Sequence, residues 1–277
     1  MNKKKASKIL LVLFLLAAVV LSIMFVPKAF RTIDNSLSAM SHTEKAPLMV
    51  AHRGFSSVYP ENTMPAFEGA VEYGFDGMEC DIHTTKDGEW VIIHDDTVDK
   101  MTDGEGNVED FTFEEIEKLT IDKGHGIENY KQLKIPTFTE YLELCEKHDI
   151  IPVIEIKKCD VRLLPSLKKM IDETKFKKEP VFISFNKEYL EKYRELDERV
   201  DMFLLATRPG KEDVQWCIDN NAGLNFCHTY LAQCFGAISF AKKNNVRLAA
   251  WTVDNTIYED VMVLCGVEII TTNKLVP

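Results

Sequence analysis

The 277-residue sequence predicts an α/β fold: a closed barrel of eight parallel strands, with a hairpin and rim insertion after the second strand and one N-terminal transmembrane helix ahead of it. Three observations carry this expectation. From Ile150 onward, short strand-like runs alternate with helical stretches of ordinary length, the pattern of repeated strand–helix crossovers. Histidines and carboxylates fall at the ends of apolar runs, where a parallel barrel places its functional groups. Ile9 to Val26 is an almost unbroken apolar stretch, long enough to cross a bilayer.

Lys3, Lys4, Lys5 and Lys8 precede that stretch and favour a cytoplasmic N-terminus, with the rest of the chain outside. The stretch exceeds a usual signal-peptide core, and no small-x-small cleavage site follows directly at Phe25-Val26-Pro27-Lys28, so a retained anchor is expected. Residues 1–30 then form the anchor, residues 31–46 a polar tether, and residues 47–277 the catalytic domain. Charge divides along the same line: residues 1–46 carry a net +5 and the remainder −16, for a total of −11. A strongly acidic domain disfavours nucleic acid as a partner. Seven cysteines without a C-x-x-C spacing are expected to be structural thiols.

The first strand is expected at Leu48–Ala51, ending in His52-Arg53-Gly54. A guanidinium there suits a phosphate or carboxylate, and a glycine allows a turn or a close approach. Glu61 to Tyr73 has helical apolar spacing and stops at Gly74. In the run around Met78, Glu79 and Asp81 share one strand face while Met78, Cys80 and Ile82 take the other. Two carboxylates side by side repel unless a cation lies between them or one is protonated, which points to one divalent ion held by oxygen, Mg²⁺ or Ca²⁺.

Asp87-Gly88 reads as a two-residue hairpin turn, with Glu89 to Ile93 as the returning arm. In that register Asp81 faces His94. Asp95 to Leu133 is polar and glycine-punctuated, and is expected to form the rim. Thr137-Phe138-Thr139-Glu140 is a capping box opening a helix to about Lys147. Further strands are expected at Ile150–Ile156, Val181–Phe185, Met202–Ala206, Leu224–Cys227, Leu248–Val253 and Val267–Ile270. Glu155 and Lys157 share a face at the end of one, suited to a cation and a phosphate, and Trp251 and Asp254 end another. His83, His125 and His228 lack motif support, and His42 and His148 have none.

The blocks H-R-G, P-E-N-T, E-x-D and a strand ending in H-D, in this order and spacing, resemble the glycerophosphodiester phosphodiesterases. K-I-P-T-F-T-E-Y-L, P-V-I-E-I-K, A-A-W-T-V-D-N and G-V-E-I-I-T-T-N extend the resemblance from Leu48 to the C-terminus. It implies a TIM-type (β/α)8 barrel that uses a divalent ion to hydrolyse glycerophosphodiesters to glycerol 3-phosphate and an alcohol. His52 and His94 match the catalytic histidines, and Glu79, Asp81 and Glu155 the metal ligands. Arg53, Glu61 and Lys157 match positions lining the phosphate and metal site, and Trp251 an aromatic at the substrate mouth. Two departures stand out: Val98-Asp99-Lys100-Met101-Thr102 replaces an L-D-R-T-T run, and Thr272-Asn273-Lys274-Leu275 replaces the closing T-D-x-P.

The expected partners are therefore a small glycerophosphodiester and, through the N-terminal helix, a cell membrane. Lysophospholipase D-type activity and a non-catalytic binding barrel are the alternatives. A binding module would be expected to have lost one of the matched histidines or carboxylates, and all are present.

Overall fold

A computed structural model describes residues 46–274 together with 276 and 277. The anchor and tether expected at the N-terminus lie outside the described residues. Among those residues, no helix is long and apolar enough to cross a membrane.

Eight parallel strands close into a barrel: β1 (Leu48–Ala51), β2 (Gly77–Thr84), β4 (Ile151–Lys158), β5 (Val181–Ser184), β6 (Asp201–Ala206), β7 (Gly223–Cys227), β8 (Leu248–Trp251) and β9 (Ile269–Thr272). Closure comes from β1, which pairs with both β2 and β9. The remaining strand, β3 (Trp90–Ile92), is the antiparallel hairpin arm beside β2. The connecting helices are α1 (Met64–Glu72), α2 (Phe113–Ile116), α3 (Phe138–His148), α4 (Leu164–Glu173), α5 (Lys187–Leu196), α6 (Lys211–Asp219), α7 (Leu231–Lys243) and α8 (Thr256–Cys265). The closed TIM-type architecture agrees with the sequence expectation.

Strand alternation sorts the residues into two apolar layers. Met78, Cys80, Ile82, Ile154, Phe182, Leu204 and Phe226 pack outward against the helices. Val50, Val153, Val181, Ile183, Phe203, Leu205, Ala249 and Ile269 fill the barrel interior. The rim after β3 has a third cluster of its own, built on Val91, Ile93, Val98, Met101, Val108, Ile116, Ile121 and Ile135, so it is a packed lobe and not a loose loop. The expected capping box is present: Glu140 N donates to Thr137 Oγ1 at 3.1 Å and Thr137 N to Glu140 Oε2 at 2.8 Å. Helix α1 starts later than its apolar spacing suggested, because Thr63 caps it and leaves Glu61 outside.

The hairpin register corrects the sequence reading by one residue. Ile82 pairs with Ile92 and Thr84 with Trp90, and Ile93 N donates to Asp81 O, so Asp81 faces Ile93. A two-residue turn of the preferred hairpin type needs positive φ at both Asp87 and Gly88, and only Gly88 has it, at +89°. Asp87 instead accepts from Thr85 Oγ1 at 2.6 Å and from Phe113 N at 2.9 Å, stabilising the three-residue loop Lys86-Asp87-Gly88.

Candidate active site

The edge of β2 explains why the site forms where it does. β1 pairs with it only through Val50–Gly77 and Ala51–Met78, while β3 pairs from Ile82 onward. The stretch between is taken by two strand ends instead: Gly54 N donates to Glu79 O at 3.2 Å, and Ile93 N to Asp81 O at 3.0 Å. His52 and His94, next to those two anchor points, are thereby delivered to the level of Glu79 and Asp81. On the other edge of β2, Asp81 pairs with Glu155 of β4. Thus His94 reaches the carboxylates despite the register shift.

The turn after β1 is unusual. Arg53 has φ +56° and Gly54 φ +73°. A side chain on Gly54 would bring its Cβ within 2.5 Å of the Ala66 backbone, so the glycine serves close packing on α1. The left-handed Arg53 turns its N–H onto Glu79 Oε2 at 2.7 Å. Its side chain donates from Nη1 to Glu61 at 3.0 Å, and its Nε lies 3.4 Å from Asp81 Oδ2.

Glu79, Asp81 and Glu155 are buried, and one carboxylate oxygen from each lies within 4.8 Å of the others. Burial, then Asp81 and Glu155, pushes the Glu79 carboxyl well above its ordinary value. Burial and Asp81 raise Glu155 to about 7, against the pull of Lys157. Burial opposes ionisation of Asp81 as well, but Arg53, His94 and Lys157 outweigh it and hold that carboxyl low. Glu79 Oε1 and Asp81 Oδ1 are buried without a protein hydrogen-bond donor. Three hard oxygen donors, two of them with unmatched lone pairs, fit a divalent cation.

Lys157 Nζ lies 2.9 Å from Glu155 Oε1, 3.7 Å from Asp81 Oδ1 and 3.1 Å from His94 Nε2. The two histidines have different second partners. His52 Nδ1 lies 2.7 Å from Asn273 Oδ1, whose amide nitrogen donates to Asp254 Oδ2 at 2.7 Å. His94 Nδ1 lies 2.5 Å from Asp95 Oδ1. Burial and the Arg53 charge lower His52 to about 4, and burial leads the lowering of His94.

His52, Arg53, Glu79, His94, Glu155, Lys157 and Trp251 all line one cavity of about 280 Å³ at the C-terminal end of the barrel. Two wider grooves, of about 650 and 630 Å³, lie beside the hairpin turn and near the start of β6, and neither contains these residues. Asp81 sits beneath the cavity at 0% exposure, tied to Arg53 and Lys157. Glu61 stands behind Arg53, where it also accepts from Lys100 Nζ at 3.2 Å, and is not part of the cavity wall. Trp251 packs edge-on against Phe185, ring centres 5.7 Å apart, and its Nε1 donates to Asn225 O at 3.3 Å.

Sequence reasoning did not single out Asn62, Asp95 or Asn273. Asn62 Nδ2 donates to Asp81 Oδ2 at 2.8 Å, and Asp81 N to Asn62 Oδ1 at 3.3 Å. Asn62 lies in the P-E-N-T block and Asp95 directly follows His94, so both carried a positional signal. Asn273 stood in the Thr272–Leu275 run noted as a departure from T-D-x-P, but no role was read from it. His83 is a buried structural histidine, its Nε2 3.3 Å from His94 O.

Residues 52–276 match the glycerophosphoryl diester phosphodiesterase family. A glycerophosphodiester phosphodiesterase of Caldanaerobacter subterraneus subsp. tengcongensis is 37% identical over 231 residues, covering 82% of this chain and 93% of that protein. Human glycerophosphodiester phosphodiesterase 1 is 39% identical over 162 residues, 58% of this chain and 49% of the human protein. Among solved structures, an Oleispira antarctica phosphodiesterase in complex with the product sn-glycerol-3-phosphate superposes with a TM-score of 0.75 at 22% identity, covering 82% of this chain and 93% of that one. With its barrel, its acidic cluster and a match across nearly the whole described domain, this chain belongs to the glycerophosphoryl diester phosphodiesterase family.

Proposed function

We propose that this protein hydrolyses glycerophosphodiesters to glycerol 3-phosphate and an alcohol, with Glu79, Asp81 and Glu155 holding one divalent cation. The observation that carries this reading is the convergence of two carboxylates, two histidines, an arginine and a lysine on one cavity, with the third carboxylate, Asp81, directly beneath and clustered with the other two. A phosphodiester is a stable anion, so its cleavage needs charge neutralised on the non-bridging oxygens, a proton removed from the attacking oxygen and another given to the leaving alkoxide. Bound at the three carboxylates, Mg²⁺ or Ca²⁺ would supply charge neutralisation. Arg53 and Lys157 supplement it from the cavity wall.

The second partners of the histidines separate their roles. Asn273 turns its amide nitrogen to the Asp254 carboxylate, so its oxygen faces His52 and requires the proton on Nδ1. The Nε2 lone pair of His52 is then free, and a neutral partner next to Arg53 gives an imidazolium no support: His52 is the base. His94 Nδ1 meets the Asp95 carboxylate, which supports an imidazolium where the Asn273 amide cannot; burial, Arg53 and Lys157, whose Nζ lies 3.1 Å from Nε2, oppose it, and of the two rings His94 is the better placed as acid.

A second reading, cleavage of lysophospholipids by the same centre, draws on the outer cavity wall, where Phe185 is 48% exposed beside Trp251. The Ile9–Val26 run is proposed to anchor the chain to a cell membrane with the barrel outside.

The test is release of glycerol 3-phosphate from glycerophosphocholine with Mg²⁺, with Ca²⁺ and with chelator, beside a His52→Ala, His94→Ala double variant. Cation-dependent product that disappears in the double variant is expected. No product with either cation from folded protein would overturn the reading, and lysophosphatidylcholine would be assayed next.

A further inference from the structure

Two groups of the cavity wall, Arg53 and His94, are held from behind by carboxylates that do not line the cavity themselves. Glu61 Oε1 pairs with Arg53 Nη1 at 3.0 Å, and Asp95 Oδ1 with His94 Nδ1 at 2.5 Å. One lysine of the rim lobe joins the two carboxylates: Lys100 Nζ lies 3.2 Å from Glu61 Oε1 and 3.5 Å from Asp95 Oδ2. Arg53, Glu61, Lys100, Asp95 and His94 thus form one unbroken series of paired groups.

The side chain of Lys100 is 53% exposed, and an exposed lysine ordinarily gains little from an ion pair, because ordering its long stem offsets the attraction. Here the backbone beneath it is fixed. The turn that carries Lys100 is pinned by three buried neighbours, Val98, Met101 and Thr102. Thr102 donates to Val98 O from its N at 3.0 Å and from its Oγ1 at 2.8 Å. Lys123 Nζ ties the turn to the far side of the lobe, donating to Asp99 O at 3.1 Å and to Thr102 O at 2.7 Å. Val98 and Met101 belong to the lobe's own apolar cluster, so Lys100 stands where the seating of the whole lobe puts it.

Without that cation, Glu61 and Asp95 would be two carboxylates within reach of the same point, and like charges repel. Burial opposes ionisation of Asp95, and the His94 bond and the Lys100 charge outweigh it. With Lys100 removed, Asp95 Oδ2 would turn to water, and Oδ1 would lose its fixed bearing on the ring. Apart from burial, the charges acting most on His94 itself are those of Asp81, Arg53 and Lys157, so Lys100 reaches the ring through Asp95.

We propose that Lys100, anchored on Glu61, is a positioning residue that couples the rim lobe to catalysis by holding Asp95 in line with His94. The proposal rests on the hydrolase reading and deepens it. Lys100 touches neither substrate nor cation; it fixes the partner that supports the proton His94 gives to the leaving alkoxide.

The experiment uses the full-length chain with Lys100→Met, which keeps the stem and removes the charge, and Lys100→Arg, which restores the charge, each checked by thermal melting. Two substrates are compared, glycerophosphocholine and glycerol p-nitrophenyl phosphate, whose leaving group departs unprotonated. Lys100→Met is expected to lower kcat about tenfold on the first and less than about threefold on the second, with Lys100→Arg within about threefold of wild type on both. In an Asp95→Asn background the Lys100→Met change should cost less than about threefold, since its path to His94 is already cut. ¹⁵N NMR of the His94 ring gives a readout free of turnover: the hydrogen bond at Nδ1 should weaken in Lys100→Met and persist in Lys100→Arg. Equal losses on the two substrates, or additive losses in the double variant, would overturn the proposal. Absent turnover in wild type, together with a His94 signal that still follows the charge at position 100, would overturn the hydrolase reading and sustain the positioning role.

Discussion

His52 Nδ1 lies 2.7 Å from the side-chain oxygen of Asn273, and the amide nitrogen of Asn273 lies 2.7 Å from Asp254. The Asp254 carboxylate can only accept, so it sets the orientation of the amide and, through it, the tautomer of His52. Asn273→Ala should release the ring and lower kcat about tenfold to a hundredfold with little change in KM. Steady-state kinetics check the split, and ¹⁵N NMR of the ring should show Nδ1–H giving way to a tautomer mixture.

Asp95 supports the proton on His94. Asp95→Asn should slow hydrolysis of glycerophosphocholine by about tenfold or more, because choline is a poor leaving group that needs a proton. A p-nitrophenyl phosphodiester, whose leaving group departs unprotonated, should be much less affected. Equal losses on both substrates would remove the acid role from His94.

The carboxylate cluster predicts an unusual pH response. Glu79 and Glu155 are raised in the folded chain, so without a cation the fold binds more protons than the unfolded chain. Their contribution to stability is fully present below the ordinary glutamate value of 4.5 and is lost as pH rises, through about 7 in the case of Glu155. Asp81 is lowered and has the opposite sign, but its contribution disappears only on acidification below this window. His52, His83 and His94 are lowered and pull the other way between pH 5 and pH 8, so the carboxylate share is read against Glu155→Gln: chelator-treated wild type should lose more melting temperature, or gain less, from pH 5 to pH 8 than the Gln variant does. Added Mg²⁺ or Ca²⁺ should reverse the trend, contributing about 2.7 kcal/mol at a hundred times Kd. Glu155→Gln should abolish most of the cation effect in the same melting scans.

Gly54→Ala should cost about 2–3 kcal/mol, since the backbone is left-handed there and the new Cβ would meet Ala66 at 2.5 Å. The damage should extend to function, because Arg53 N–H holds Glu79 from the adjoining position. Chemical denaturation measures the first effect and cation affinity the second.

Much of the barrel was legible in the sequence, because strand alternation and helix spacing are local patterns that burial only reinforces. Glu79 with Asp81, and Glu155 with Lys157, could be placed on shared faces by counting residues in twos. The histidines could be placed at strand ends by where the apolar runs stop. What the tertiary structure decided depends on contacts between distant segments. The hairpin loop gained a residue because Asp87 bonds to Thr85 and to Phe113 of the rim. Glu61 stands behind Arg53 because Lys100, in the departing Val98–Thr102 run, holds it from the other side. His52 meets Asn273 across 221 positions of chain, and no local pattern encodes which amide will face which imidazole. The chain itself specified which residue types reach the barrel mouth; closure of β1 onto β9 decided which nitrogen of His52 carries its proton.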